Sequence, residues 1–203
     1  MNDIQIGLRA ATDASAAIAI ISGTGSNGYA LDTHGKEAMV SGRGMWMAGQ
    51  GSGYEMGVAC LKAVRCAEDG RGPATLLQRA VFKKFKVRST EEMMPKVYAP
   101  DFGKRELSKL NGVVEEVAEQ GDAVARKIIA HSAEEILLMI RTLHKRLNFG
   151  RSPVPVVLIG GTVNKNLVLK RAVISGMRKL KWAQPLFMDD APVAGAVKIA
   201  EGL

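Results

Sequence analysis

The sequence predicts an α/β fold, a mixed β-sheet flanked by helices, on three observations. Two short apolar runs rich in β-branched residues, 16–22 and 156–159, each stop at a glycine and hydroxyl cluster, as buried strands feeding tight loops do. Stretches of helical periodicity separate them, the longest over 123–148. Strands alternating with helices imply a sheet whose ligand loops gather at the carboxyl ends of its strands.

The chain opens with Asn2-Asp3 before Ile4, Ile6, Leu8 and Ala10, which fits a capped short helix or an extended lead-in equally. Asp3 is then either a helix cap or a functional carboxylate. The strand over 16–22 runs into Gly23-Thr24-Gly25-Ser26. Glycines at 23 and 25 allow φ > 0 and bring backbone N–H groups close to an anion, while Thr24 and Ser26 add hydroxyls without bulk. The competing reading is a plain hairpin turn into a second strand over 27–31. Asp32-Thr33-His34-Gly35 has turn chemistry, and 37–40 completes a hairpin or meander.

Residues 41–53 place Gly42, Gly44, Gly49, Gly51 and Gly53 among Arg43, Met45, Trp46, Met47 and Gln50, too many glycines for a regular element. From Ser52 the period becomes helical, carried by Tyr54, Met56, Val58, Ala59, Leu61, Val64 and Cys66 up to Asp69-Gly70. That helix start either holds an anion or sugar hydroxyl or is simply capped by Ser52. Helices are predicted over 73–87, 90–97 and 103–119. Gly121-Asp122 starts the long helix that carries His131 and His144, both read as surface or packing residues because neither has a second ligand at metal spacing. The strand over 156–159 ends in Gly160-Gly161-Thr162, repeating the first strand-then-glycine device. A helix over 166–180, a strand over 184–188 and a closing helix over 191–201, begun at Pro192, complete the order.

The formal net charge is +8, with basic residues concentrated at 83–88, 104–109 and 178–181. Aromatics are only 5% and no basic stripe is interleaved with stacking rings, which argues against nucleic acid. The longest apolar run falls far short of the roughly 20 residues a bilayer requires, and no signal pattern opens the chain, so a cytoplasmic protein without a membrane partner is expected. Cys60 and Cys66 sit at i and i+6 of one predicted helix and are read as reduced structural thiols, with no metal site.

As an ordered set, Asn2-Asp3, Ser22-Gly23-Thr24-Gly25-Ser26-Asn27, Gly51-Ser52-Gly53-Tyr54, Gly121-Asp122, Gly160-Gly161-Thr162-Val163 and the stretch from Pro192 to Ala196 resemble the C-terminal half of the N-acetylglucosamine kinase family. That family includes the BadF/BadG-type activator ATPases of benzoyl-CoA-type reductases. The resemblance spans essentially the whole chain and implies a ribonuclease-H-like, actin-like ATPase lobe over 1–203. It implies ATP with Mg²⁺ and phosphoryl transfer to the 6-hydroxyl of a small sugar. Asp3 would be the base; Gly23, Thr24, Gly25 and Ser26 the second phosphate motif; Gly160, Gly161 and Thr162 the adenosine motif. Asn27, Gly44, Gln50 and Ser52 would lie at the sugar. Where family members carry Gly-Trp-Gly and Gly-Asp-Glu-Gly-Ser, this chain has Gly42-Arg43-Gly44 and Ala48-Gly49-Gln50-Gly51-Ser52, which leaves the sugar open. An Asp-Gly-Gly-Thr-like first phosphate loop does not occur. Half of a nucleotide site is therefore expected, completed by an N-terminal lobe or a second copy. The alternatives are an activator-type ATPase and a non-catalytic nucleotide- or partner-binding lobe.

Overall fold

The computed structural model describes residues 3–150 and 153–188. Asn2, the segment from Pro192 to Ala196 and the closing helix expected over 191–201 lie outside the described residues.

In chain order the elements are α1 (Asp3–Ala11), β1 (Ala17–Ser22), β2 (Ser26–Leu31), β3 (Glu37–Ser41), α2 (Gly53–Glu68), α3 (Leu76–Phe85), α4 (Thr90–Val97), α5 (Lys104–Ser108), α6 (Asn111–Glu119), α7 (Ala123–Arg146), β4 (Val154–Ile159), α8 (Gly161–Lys165), α9 (Leu167–Arg178) and β5 (Ala183–Met188). The strands form one mixed sheet in the order β3-β2-β1-β4-β5. β1 pairs antiparallel with β2 and parallel with β4, β2 and β3 are antiparallel, and β4 and β5 are parallel. The expected mixed sheet flanked by helices is what forms.

The period-2 alternation of β1 and β4 sorts the core into two faces. Ile18, Ile20, Val156 and Leu158 belong to the larger cluster with Met56 of α2, Ile136, Ile140 and Leu143 of α7 and Leu169 of α9. Ala19, Tyr29 and Val157 turn the other way and meet Ile4 and Leu8 of α1. The lead-in that the sequence left open is thus an amphipathic helix. Between β2 and β3 the Asp32 carboxylate accepts from the backbone N–H groups of His34 and Lys36, both at 2.9 Å, and Gly35 takes φ 76°. That is the turn its residue types predict.

Three boundaries differ from expectation. The helix expected over 103–119 is two, because Ser108 Oγ donates to Arg105 O at 2.8 Å and Asn111 Nδ2 donates to Ser108 O at 2.7 Å, which supports the chain through a break. α3 starts at Leu76, where Thr75 accepts from Leu77 N, so Pro73 precedes it. β4 starts at Val154 with Pro155 inside it. Pairing with β1 begins only at Val156, so the missing N–H of Pro155 interrupts no β1 ladder bond.

Candidate functional site

Because β1 and β4 are parallel neighbours, the loops that leave their carboxyl ends lie side by side. Thr162 Oγ1 donates to Gly23 O at 2.9 Å, and the same carbonyl accepts from Gly53 N, at the start of α2, at 2.9 Å. Gly160 has φ 107°, and a Cβ there would lie 2.7 Å from Ser22 O and 3.2 Å from Gly23 N. A Cβ on Gly53 would stand 2.7 Å from Thr162 Oγ1 and 3.2 Å from Ser108 O. Glycine at these two positions therefore lets three backbone segments touch.

At Gly23 and Gly25 the expectation of φ > 0 is corrected, since neither is among the positive-φ glycines. Ser22 pairs with Ser26 and Gly23 N donates to Gly25 O at 2.9 Å, so the loop is also the hairpin turn of the competing reading. What glycine supplies here is room. A Cβ at 23 would meet nothing within 4 Å, and at 25 it would meet Lys104 Nζ at 3.0 Å.

Beside this junction opens a groove of about 430 Å³. Gly23 and Thr24 form one wall, Gly161, Thr162, Lys165 and Asn166 the second, and Ser108, Lys109, Asn111, Gly112 and Glu115 the third. Thr24 is exposed, with Oγ1 3.4 Å from Ser108 Oγ. Asn166 Oδ1 accepts from Leu169 N at 2.8 Å and the Glu115 carboxylate accepts from Leu167 N, so both cap α9. Gly112, like Gly23, has nothing within 4 Å of an added Cβ, which leaves the groove flat there. Sequence reasoning missed the whole third wall. Its signal was Asn111-Gly112, a poor helix pair in the middle of a periodic apolar stretch.

The remaining site residues lie elsewhere. Asn27 is the second residue of β2 and packs on Gly42 (φ 73°), where a Cβ would come 2.8 Å from Asn27 Oδ1. That oxygen, like Ser26 Oγ, is buried without a hydrogen-bond partner. Gly44 and Gln50 are exposed on the loop after β3. Ser52 is fully buried, and its Oγ accepts from Glu55 N at 3.3 Å, while the Glu55 carboxylate accepts from Gly51 N at 2.8 Å. The start of α2 is thus occupied by its own cap and by the Gly23 carbonyl, and does not stand open to an anion as one reading of the sequence had it. Ser22 Oγ donates to Gly51 O at 2.6 Å and ties this loop to β1. Asp3 is exposed at the first residue of α1, on the sheet face opposite α2, α7 and α9, and does not line the groove.

Among the described residues no three His, Cys, Asp or Glu come together as a metal site. Cys60 and Cys66 are free; Cys60 is fully buried, and burial pushes its thiol up to about 12. His144 stacks on Trp182 with ring centroids 3.6 Å apart, and burial holds it below its ordinary value. His131 is exposed, its Nε2 3.8 Å from Glu55 Oε1. No described helix is long and apolar enough to cross a membrane.

Comparison with known proteins bears on the fold and the family. The chain is 30% identical over 164 residues to the N-acetylmuramic acid/N-acetylglucosamine kinase of Clostridium acetobutylicum, covering 81% of this chain and 54% of that one. It is 26% identical over 171 residues to the N-acetyl-D-glucosamine kinase of Dictyostelium discoideum, covering 83% and 54%. The chain thus spans about half the length of these curated relatives. A solved structure from Chromobacterium violaceum, provisionally described as an N-acetylglucosamine kinase, matches with a TM-score of 0.74 at 22% identity, over 97% of this chain and 63% of that one. The fold is that of the actin-like ATPases expected from sequence. Residues 3–200 match the BadF/BadG/BcrA/BcrD ATPase family, and the chain belongs to that family, as a homologue of N-acetylglucosamine kinases.

Proposed function

We propose that this chain is the carboxyl-terminal-type lobe of an ATP-dependent sugar kinase of the N-acetylglucosamine kinase type, transferring a phosphoryl group to a sugar 6-hydroxyl. The observation that carries the reading is the groove walled jointly by Gly23 and Thr24 from β1 and by Gly161 and Thr162 from β4. In it, Gly23 and Thr24 face the phosphates, with Gly25 and Ser26 completing their loop, and Gly161 and Thr162, after Gly160, border the adenosine. Asn27, Gly44 and Gln50 are assigned to the sugar and Ser52 to holding their loop; Asp3, which lies outside the groove, is assigned the hydroxyl proton, which requires the sugar to be held beyond the groove, between this lobe and the one that completes it. Phosphoryl transfer needs mainly positioning, charge neutralisation and one base near the attacking hydroxyl, which suits a site built from loops on rigid strands.

Among the described residues the Mg²⁺ implied by the resemblance does not find a site. The one carboxylate lining the groove, Glu115, is turned to Leu167 N, and the described residues assemble no other cluster. No step is assigned to a metal held by this chain. The activator-type alternative gains nothing from the cysteines, since a cluster shared across an interface needs accessible thiolates and Cys60 is buried.

Given the coverage of its relatives, the proposal includes a second lobe, or a second copy, that completes the cleft. The 203-residue chain alone is then expected to bind nucleotide weakly and not to phosphorylate amino sugars. Losing two charge-assisted contacts, each worth roughly 1.5 to 3 kcal/mol, weakens binding on the order of 10²-fold or more. The test is ADP release by the native-length protein with N-acetylglucosamine or N-acetylmuramic acid. Turnover is expected, abolished in Asp3→Asn, with nucleotide affinity lowered about tenfold in Thr24→Val, as for one lost contact to a charged group. If the native-length protein binds no nucleotide, residues 23–26 are a hairpin turn and nothing more.

A further inference from the structure

We propose that Lys104 is the residue that meets the terminal phosphate of the bound nucleoside triphosphate, an assignment that rests on the nucleotide reading above. Lys104 is the first residue of α5 and comes from a segment with no glycine motif to announce it. Its Nζ lies 3.0 Å from where a Gly25 Cβ would be, so the ammonium rests on the backbone of the β1–β2 loop. Gly25 does not have positive φ, so conformation does not explain a glycine there, and the nearest atom to an added Cβ would be the tip of Lys104.

The ammonium has no strong partner of its own. Among the described residues no carboxylate lies within ion-pairing distance of it, and the nearest ring, that of Tyr54, is 6.0 Å away, the outer limit for a cation–π contact. A half-buried cation beside a tight loop, with no counter-ion among the described residues, suits a polyanion brought to that loop.

Its position selects which phosphate. Gly23 and Thr24 line the groove but Gly25 and Lys104 do not, so Lys104 stands beyond the loop from the nucleoside end. Tyr54, at the start of α2, follows the loop that carries Gly44 and Gln50. A nucleotide lying in the groove and crossing the loop reaches Lys104 last, with the phosphate to be transferred.

The experiment compares binding of a non-hydrolysable ATP analogue and of ADP to the native-length protein and to Lys104→Met and Lys104→Arg, by titration calorimetry, with thermal unfolding as the control for folding. In Lys104→Met the analogue is expected to bind about tenfold or more weaker, as for one lost charge-assisted contact, while ADP changes by less than about threefold. Lys104→Arg restores most of the analogue affinity with the charge. A purely structural lysine would shift both ligands together or neither, and either result overturns the assignment while leaving the nucleotide site in place. Binding of neither ligand by the unaltered protein overturns both.

Discussion

One methyl group separates the two uses of glycine at this site. Gly160→Ala would force a Cβ to 2.7 Å from Ser22 O at φ 107°, and strain of that kind costs about 1 to 3 kcal/mol, which urea unfolding should show as a lower midpoint. Gly23→Ala meets nothing within 4 Å and has an ordinary φ, so its stability should change by less than about 1 kcal/mol. Its Cβ nevertheless projects where phosphate would approach, and nucleotide affinity should fall without a change in unfolding. Both glycines were legible in the sequence as parts of strand-then-glycine motifs. Which one serves packing and which serves a ligand was not, because that depends on the segment after β4, where Thr162 meets Gly23 across 139 residues of chain.

Helix ends were the most legible part of the elements, and Asp122 shows why. Its carboxylate accepts from Ala125 N at 2.8 Å to cap α7, and also from Leu76 N at 2.8 Å and Thr75 Oγ1 at 3.0 Å, joining the starts of two helices. Asp122→Ala is expected to cost about 1 to 2 kcal/mol as a lost cap. Burial acts to raise this carboxyl, but the donors from Ala125, Leu76 and Thr75 outweigh it and hold it below the ordinary 3.8. With the folded value below the unfolded one, its stabilisation is complete above pH 3.8 and is lost as pH falls through the lowered value. The gap in thermal midpoint between wild type and Asp122→Ala should therefore narrow in strong acid; a gap that is constant down to pH 2 would contradict the role of the ionised form. The break between α5 and α6 was not legible, since Leu107, Leu110, Val113, Val114 and Val117 keep helical spacing through it. The break is held by Ser108 and Asn111, and the Leu107 carbonyl beside it packs so closely on α2 that only glycine fits at position 57.

For the whole molecule, the sheet and its two covered faces followed from pattern, whereas the third wall of the groove needed the packing of α6 against α9. Trp46 is 91% exposed and Met47 77% on the loop after β3, beside Arg43. A tryptophan so exposed next to a proposed cleft is expected to be covered by a second lobe or a second copy. Its fluorescence should be red-shifted and readily quenched by acrylamide in the 203-residue chain alone, and protected once a second lobe or a second copy is joined to it. Trp46→Ala should leave only the emission of Trp182, half-buried against His144. Quenching that is equal in both forms would count against a covering partner. The Gly23 carbonyl has a different consequence, for how the chain tolerates added length. It has two lone pairs, and Gly53 N and Thr162 Oγ1 take both, so the hairpin, α2 and the segment after β4 share one atom as their common anchor. A flexible linker spliced between Gly70 and Arg71, where the chain is exposed, should leave folding and nucleotide binding intact. The same linker between Thr24 and Gly25 would break the Gly23 N to Gly25 O bond that closes the hairpin, and should lower the urea midpoint by loosening the residue on which all three segments meet.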